Sequence, residues 1–199
     1  AREATMPVIN GLTDLSHPCQ ALSDLLTIRE KKGRLKGIKL AYIGDGNNVA
    51  NSLIEAAAKM GMIITLCCPV GYQPEQHVVD KARVEAAKTG AVIEIGHDPH
   101  IAAKEADVIY TDVWISMGRE REQARRLKVL APYQVNSRLL HRAKPDAIVM
   151  HCLPAHRGEE ISAEVLDGPR SVIIDQAENR LHMQKAILTN LSGKRSQTR

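Results

Sequence analysis

A chain of 199 residues can bury one sizeable core, since domains run roughly 100–200 residues. With 44% apolar residues but no Phe, one Trp and four Tyr, that core must be aliphatic, and aromatic platforms for stacking nucleic-acid bases are scarce. A net charge of +4, from 27 basic and 23 acidic residues scattered along the chain apart from a basic tail, favours small anions and argues against nucleic acid as a partner.

The first periodic segment is a helix over 17–32, stopped by Gly33. From residue 38 short runs rich in Ile and Val alternate with stretches of helical period, the mark of an α/β fold with a doubly wound, Rossmann-like parallel sheet. The order is strand 38–43, helix 48–60, strand 62–67, helix 75–89, strand 91–95, helix 99–105, strand 107–110, helices 119–127 and 136–142, strand 147–150, helix 162–166 and strand 171–174. Gly61, Gly90 and Gly168 fall where helices should end, as left-handed caps. A closing helix over 178–191 leads into a polar tail, 193–199, read as disordered. The expected organisation is a leading segment and helix (1–33), one α/β domain (34–177), a bracketing helix (178–192) and that tail. No run approaches the ~18 apolar residues of a membrane span. Cys19, Cys67, Cys68 and Cys152 form no Cys-x-x-Cys pair, so neither a disulfide framework nor a zinc knuckle is expected, and a reducing, cytoplasmic setting fits.

Ligands of open α/β sheets bind where strands end, and three segments stand there. Gly44-Asp45-Gly46-Asn47-Asn48 opens like a dinucleotide loop, but Val49 occupies the third glycine position. Leu66-Cys67-Cys68-Pro69 stands where a ribose-binding acid should be. The paired asparagines can instead cap a helix or hold a zwitterionic ligand. Asp112 follows a buried-type strand and suits a cationic amine, with Ser116-Met117-Gly118 just beyond it. His151-Cys152-Leu153-Pro154 follows another strand; neighbours on an extended chain point apart, so His151 is not expected to serve as the base for Cys152. His17 and Gln20 lie one turn apart at the head of the first helix. Arg180, read alone, is a solvated surface charge sooner than an anion ligand.

In this order, His17-Pro18-Cys19-Gln20, Asp112-x-x-x-Ser116-Met117-Gly118 and His151-Cys152-Leu153-Pro154 together resemble the signature set of the ornithine carbamoyltransferases, and the likeness runs over nearly the whole chain. The resemblance implies carbamoyl transfer from carbamoyl phosphate to the δ-amine of L-ornithine, giving L-citrulline and phosphate, with no metal and no organic cofactor. It assigns Asn48, Asp112, Ser116 and Met117 to ornithine. His17, Gln20, Cys152, Leu153 and Arg180 go to carbamoyl phosphate. Cys152 as a thiolate, with Asp112, would orient the amine, and His17 and Arg180 would stabilise the oxyanion.

Members of that family carry a preceding carbamoyl-phosphate domain with a Ser-x-Arg-Thr loop, and no such tetrad occurs here. The resemblance therefore implies a chain inactive by itself, with apolar surface exposed on both bracketing helices. The family is usually trimeric, and weak or no trimerisation is expected here. Two other readings compete: a carbamoyltransferase for putrescine or an acylated ornithine, and a non-catalytic ornithine-binding module. The mitochondrial matrix suits the sequence as well as the cytoplasm does.

Overall fold

The computed structural model describes residues 3–115 and 122–193. Five parallel strands, β1 (Lys39–Ile43), β2 (Ile63–Cys67), β3 (Val92–Gly96), β4 (Val108–Thr111) and β5 (Ile148–His151), form one sheet in the order β3-β2-β1-β4-β5. The order reverses direction after β3, between β1 and β4, which is the topological switch where α/β sheets open a crevice. β4 and β5 are buried throughout, whereas edge strand β3 is half-exposed.

Eight α-helices lie among the described residues, α1 (Pro18–Lys32), α2 (Asn48–Met60), α3 (Gln76–Thr89), α4 (Pro99–Ala103), α5 (Gln123–Leu130), α6 (Ser137–Leu140), α7 (Ala163–Leu166) and α8 (Ile173–Gly193), with a 3₁₀ turn at Ala131–Tyr133. The two-residue period of the strands divides the core. Leu40, Tyr42, Ile64, Leu66, Val108 and Tyr110 face α1, α2 and α3, while Ala41, Ile43, Ile109 and Val149 face α4, α6 and α7. Each fully buried Ile, Leu or Val contributes about 1.5–3 kcal/mol, so an aliphatic core suffices without Phe.

The five strands and most helices lie within a residue or two of their sequence-based bounds. The expected strand 171–174 does not form. Ser171 makes a single isolated bridge to Val149, Val172 N donates to Val149 O at 3.0 Å, and the backbone then turns helical at Ile173. Val172, Ile173 and Gln176 are buried while Ile174 and Asp175 are exposed, the period of a helix rather than the alternation of a strand. α8 thus begins five residues before 178, and Glu178-Asn179-Arg180 lies in its second turn. The expected helix start at 119–121 and the tail at 194–199 lie outside the described residues.

α1 and α8 run against each other on one face of the sheet. Asn179 Nδ2 donates to Thr27 Oγ1 (3.0 Å) and Glu30 Oε2 (2.7 Å), and Lys31 pairs with Asp175 at 2.7 Å. Their outer sides carry exposed apolar residues, Leu22, Ile174, Leu181 and Leu188, and the leading segment adds Met6, Val8 and Leu12. No described helix is long and apolar enough to cross a membrane.

Candidate active site

The carboxyl ends of β1, β4 and β5 come together beside the start of α1 and the second turn of α8. After β1 the chain turns at Gly44 (φ 143°), and Asn47 caps α2, its Oδ1 accepting from Val49 N (3.0 Å) and Ala50 N (3.2 Å). That role turns the Asn47 amide nitrogen outward, where it donates to Asp112 Oδ2 at 2.6 Å. Asn48 Nδ2 donates to Thr13 O (2.7 Å) and Asn51 Nδ2 to Leu15 O (3.0 Å), so the head of α2 holds the segment leading into α1. Gly46 is required by space: a Cβ there would lie 2.3 Å from Pro74 N, and backbone cannot yield cheaply. Gly46→Ala is expected to cost about 3 kcal/mol or more, seen as a lowered urea midpoint at unchanged slope.

Asp45 pairs with Arg126 of α5, whose guanidinium is 2% exposed. Arg126 Nε also donates to Trp114 O at 2.6 Å, and its guanidinium lies 5.1 Å from the centre of the Tyr72 ring. One cation thus ties the loop after β1 to the loop after β4. An open cleft of about 840 Å³ runs between the loops after β1 and β2 and the start of α5, lined by Asp14, Asn47, Asn48, Tyr72, Glu122 and Arg126 among others.

Asp112 accepts from Asn47 Nδ2, from Val113 N (2.8 Å) and from Cys152 Sγ (2.9 Å). Sequence reasoning took Cys152 as a thiolate; the structure reverses this. Burial of the sulfur, reinforced by the neighbouring Asp112 charge and its hydrogen bond, pushes the thiol well above its ordinary value. Cys152 is a neutral S–H donor.

His151 turns away from Cys152, as alternation predicted. Its Nδ1 accepts from Leu153 N (2.9 Å), so in the neutral ring Nε2 carries the proton and donates to buried Glu160 Oε1 (3.1 Å). Both nitrogens are occupied, which leaves no lone pair for a metal even though Asp112, His151 and Cys152 lie close together. Leu153 adopts φ 61° ahead of a cis peptide to Pro154 and is 40% exposed.

His17 precedes α1, its Nδ1 2.8 Å from Gly11 O, which leaves Nε2 for a ligand. Burial lowers its pKa, the Gly11 carbonyl and Asp112 oppose that, and the Arg180 charge lowers it further. Arg180 is therefore close to His17 and half-buried rather than a freely solvated charge. Its Nη1 donates to Gln20 Oε1, while its Nε is buried with no partner among the described residues. Gln20, 1% exposed, donates through Nε2 to Asp24 Oδ1 at 2.8 Å. Ser116, Met117 and Gly118 lie outside the described residues. Sequence reasoning missed Asp24, Gln176 and Arg126; the one available signal was polar Gln20, Ser23, Asp24 and Thr27 along the core-facing side of α1.

The chain is thus an α/β protein of the doubly wound, parallel-sheet class, with polar, amine-suited groups at its switch point and the half-buried Arg180 guanidinium beside them. Residues 36–191 match the family described as aspartate/ornithine carbamoyltransferase, Asp/Orn binding domain, and residues 1–30 match its carbamoyl-P binding domain. The chain belongs to the aspartate/ornithine carbamoyltransferase family. It is 63% identical over 188 residues to the ornithine carbamoyltransferase of Syntrophus aciditrophicus, covering 94% of this chain and 61% of that protein. The Bacillus subtilis ornithine carbamoyltransferase is 57% identical over 188 residues, with 94% and 59% covered. The solved ornithine carbamoyltransferase of Pyrococcus furiosus superposes with a TM-score of 0.93 at 56% identity, over 96% of this chain and 61% of that one. The chain thus spans about three fifths of the length of these relatives.

Proposed function

We propose that this chain supplies the ornithine side and part of the carbamoyl side of an ornithine carbamoyltransferase, acting in the cytoplasm without metal or organic cofactor. The observation that carries the reading is the pairing of two unlike groups across one site. On one side, Cys152 and Asn47 present Asp112 to a cationic amine. On the other, Arg180 offers a buried, unpartnered Nε to an oxygen, and both groups lie close enough to His17 to shift its protonation.

The δ-amine of ornithine resembles that of Lys, protonated up to a pH of ~10.4 in water, and must lose a proton to attack the carbamoyl carbon. Cys152, already protonated, orients that amine through Asp112 and takes no proton from it. The ammonium first gives one proton to solvent; the neutral amine then forms the C–N bond as the carbonyl becomes a tetrahedral oxyanion facing Arg180, the C–O bond to phosphate breaks, and the departing phosphate takes the second proton from the new amide nitrogen. Asn48 with Ser116 and Met117 would hold the α-groups of ornithine. His17, Gln20 and the Leu153 backbone would hold the carbamoyl group. Residues 1–33, the first thirty of which match the carbamoyl-P binding domain, and residues 178–192 bracket the α/β unit and would pack against the rest of such a domain, consistent with the apolar residues on their outer sides.

Citrulline formation should appear when this chain is joined to a family carbamoyl-phosphate domain, and be weak or absent without it. Ornithine titrated into the chain by calorimetry should bind, and Asp112→Asn should weaken it about 10- to 100-fold, the ~1.5–3 kcal/mol of a hydrogen bond to a charged group. Ornithine binding unchanged by Asp112→Asn would sink the assignment; binding intact with no citrulline from the joined protein would make the chain a binding module.

A further inference from the structure

Asp24 lies on α1 with a fully buried carboxyl group, in a position the carbamoyl-transfer reading does not use. Gln20 Nε2 (2.8 Å) and Gln176 Nε2 (2.7 Å) both donate to its Oδ1, and Tyr110 OH (3.0 Å) donates to its Oδ2. An amide that turns its nitrogen to a carboxylate must turn its oxygen the other way. Gln20 Oε1 accordingly accepts from Arg180, and Gln176 Oε1 accepts from His151 N at 2.9 Å, the backbone step into the Cys152 turn.

We propose that Asp24 is a positioning residue: by accepting from both glutamine amides it sets their orientation, and so aims one carbonyl at Arg180 and the other at the backbone of His151. This deepens, and for its functional half rests on, the carbamoyl-transfer reading.

Docking of α1 on α8 does not call for this carboxyl group, because Thr27–Asn179 and Lys31–Asp175 join the same helices without touching the site. A buried carboxyl is costly to solvate inside a protein, and an apolar residue would pack between the helices without that cost. The charged and titratable groups facing Asp24 are Arg180 from α8, Tyr110 from β4 and Cys152 from the turn after β5. Burial pushes its carboxyl up to about 7, opposed by the three donors and by Arg180. Protonation leaves the amides in place, because Oδ1 can still accept from both while the new O–H donates to the Tyr110 hydroxyl. Asp24→Asn should reproduce that arrangement, with Nδ2 toward Tyr110. Asp24→Leu, of similar shape, leaves the Gln20 amide without its acceptor and the Gln176 amide with only the Tyr110 hydroxyl, 3.1 Å from its Nε2.

Side-chain amide NMR of Gln20 and Gln176 on this chain tests the proposal. Both NH₂ groups should be exchange-protected in the native chain and in Asp24→Asn; in Asp24→Leu the Gln20 group should lose protection and the Gln176 group, held by Tyr110 alone, should be less protected, with the Arg180 guanidinium signal moving as well. Gln20 protection that survives in a folded Asp24→Leu overturns it. So does protection lost in Asp24→Asn, which decides the matter if the Leu variant does not fold. By calorimetry, carbamoyl phosphate should bind Asp24→Leu about tenfold more weakly or worse, with ornithine affinity within about threefold, a split that a general loss of structure would not give. Equal weakening of both ligands overturns the positioning role. A native chain that binds no carbamoyl phosphate while the amide signals behave as expected counts against the functional reading alone.

Discussion

Arg126→Met is expected to lower the stability of the chain by about 3–5 kcal/mol, the usual cost of removing one partner from a buried ion pair. Methionine keeps much of the aliphatic volume, so the loss isolates the charge and its hydrogen bonds. Asp45 loses its guanidinium, Trp114 O loses the Nε donor at 2.6 Å, and the Tyr72 ring loses the cation on its face. These contacts join the loops that carry Asn47, Asn48 and Asp112, so ornithine affinity should fall in the same variant even below its unfolding temperature. Chemical denaturation followed by tryptophan fluorescence measures the first effect, since Trp114 is the sole Trp and is buried beside the pair. A change under 1 kcal/mol would mean that the cost of burying Arg126 offsets what its contacts contribute.

The second large effect depends on pH. A carboxyl whose folded pKa is about 7 and whose unfolded value is ~3.9 binds more protons folded than unfolded between those limits. Stability attributable to Asp24 is therefore fully present below about pH 4, falls as pH rises toward 7, and levels off above it. At ~1.36 kcal/mol per unit over about three units, the loss is on the order of 4 kcal/mol. Asp24→Asn cannot ionise, so its stability relative to the native chain should grow by roughly that amount between pH 4 and pH 8. Thermal or urea unfolding of the two chains at both pH values measures it. A difference that does not change with pH would mean that Asp24 stays in one protonation state throughout. The gain would illustrate a site residue kept at a cost to stability.

Much of this protein could be read from residue order alone, because local rules govern it. Ile- and Val-rich runs ended by Gly44, Asp112 and Cys152 place the strand ends. The αL caps at Gly33, Gly61 and Gly90 stop their helices where the sequence places them, since only glycine adopts φ > 0 without penalty; Gly168 does not, because α7 already ends at Leu166 with Asp167 as its cap, and Gly168 takes no positive φ. Two of the short motifs hold residues that meet: Cys152 and Asp112 lie 2.9 Å apart.

Tertiary structure decided the rest. An apolar run such as Ser171-Val172-Ile173-Ile174 satisfies a buried strand and a buried helix turn equally, and only docking against β5 and α1 selected the helix. The charge state of Cys152 depended on burial beside Asp112, forty positions away in the chain. Asp24, Tyr110 and Gln176 are separated by 86 and 66 residues, and Arg126 by 81 from Asp45. Periodicity reports which face of an element is buried, but the partner of a buried polar group is set by where the chain returns in space, and that no local pattern encodes.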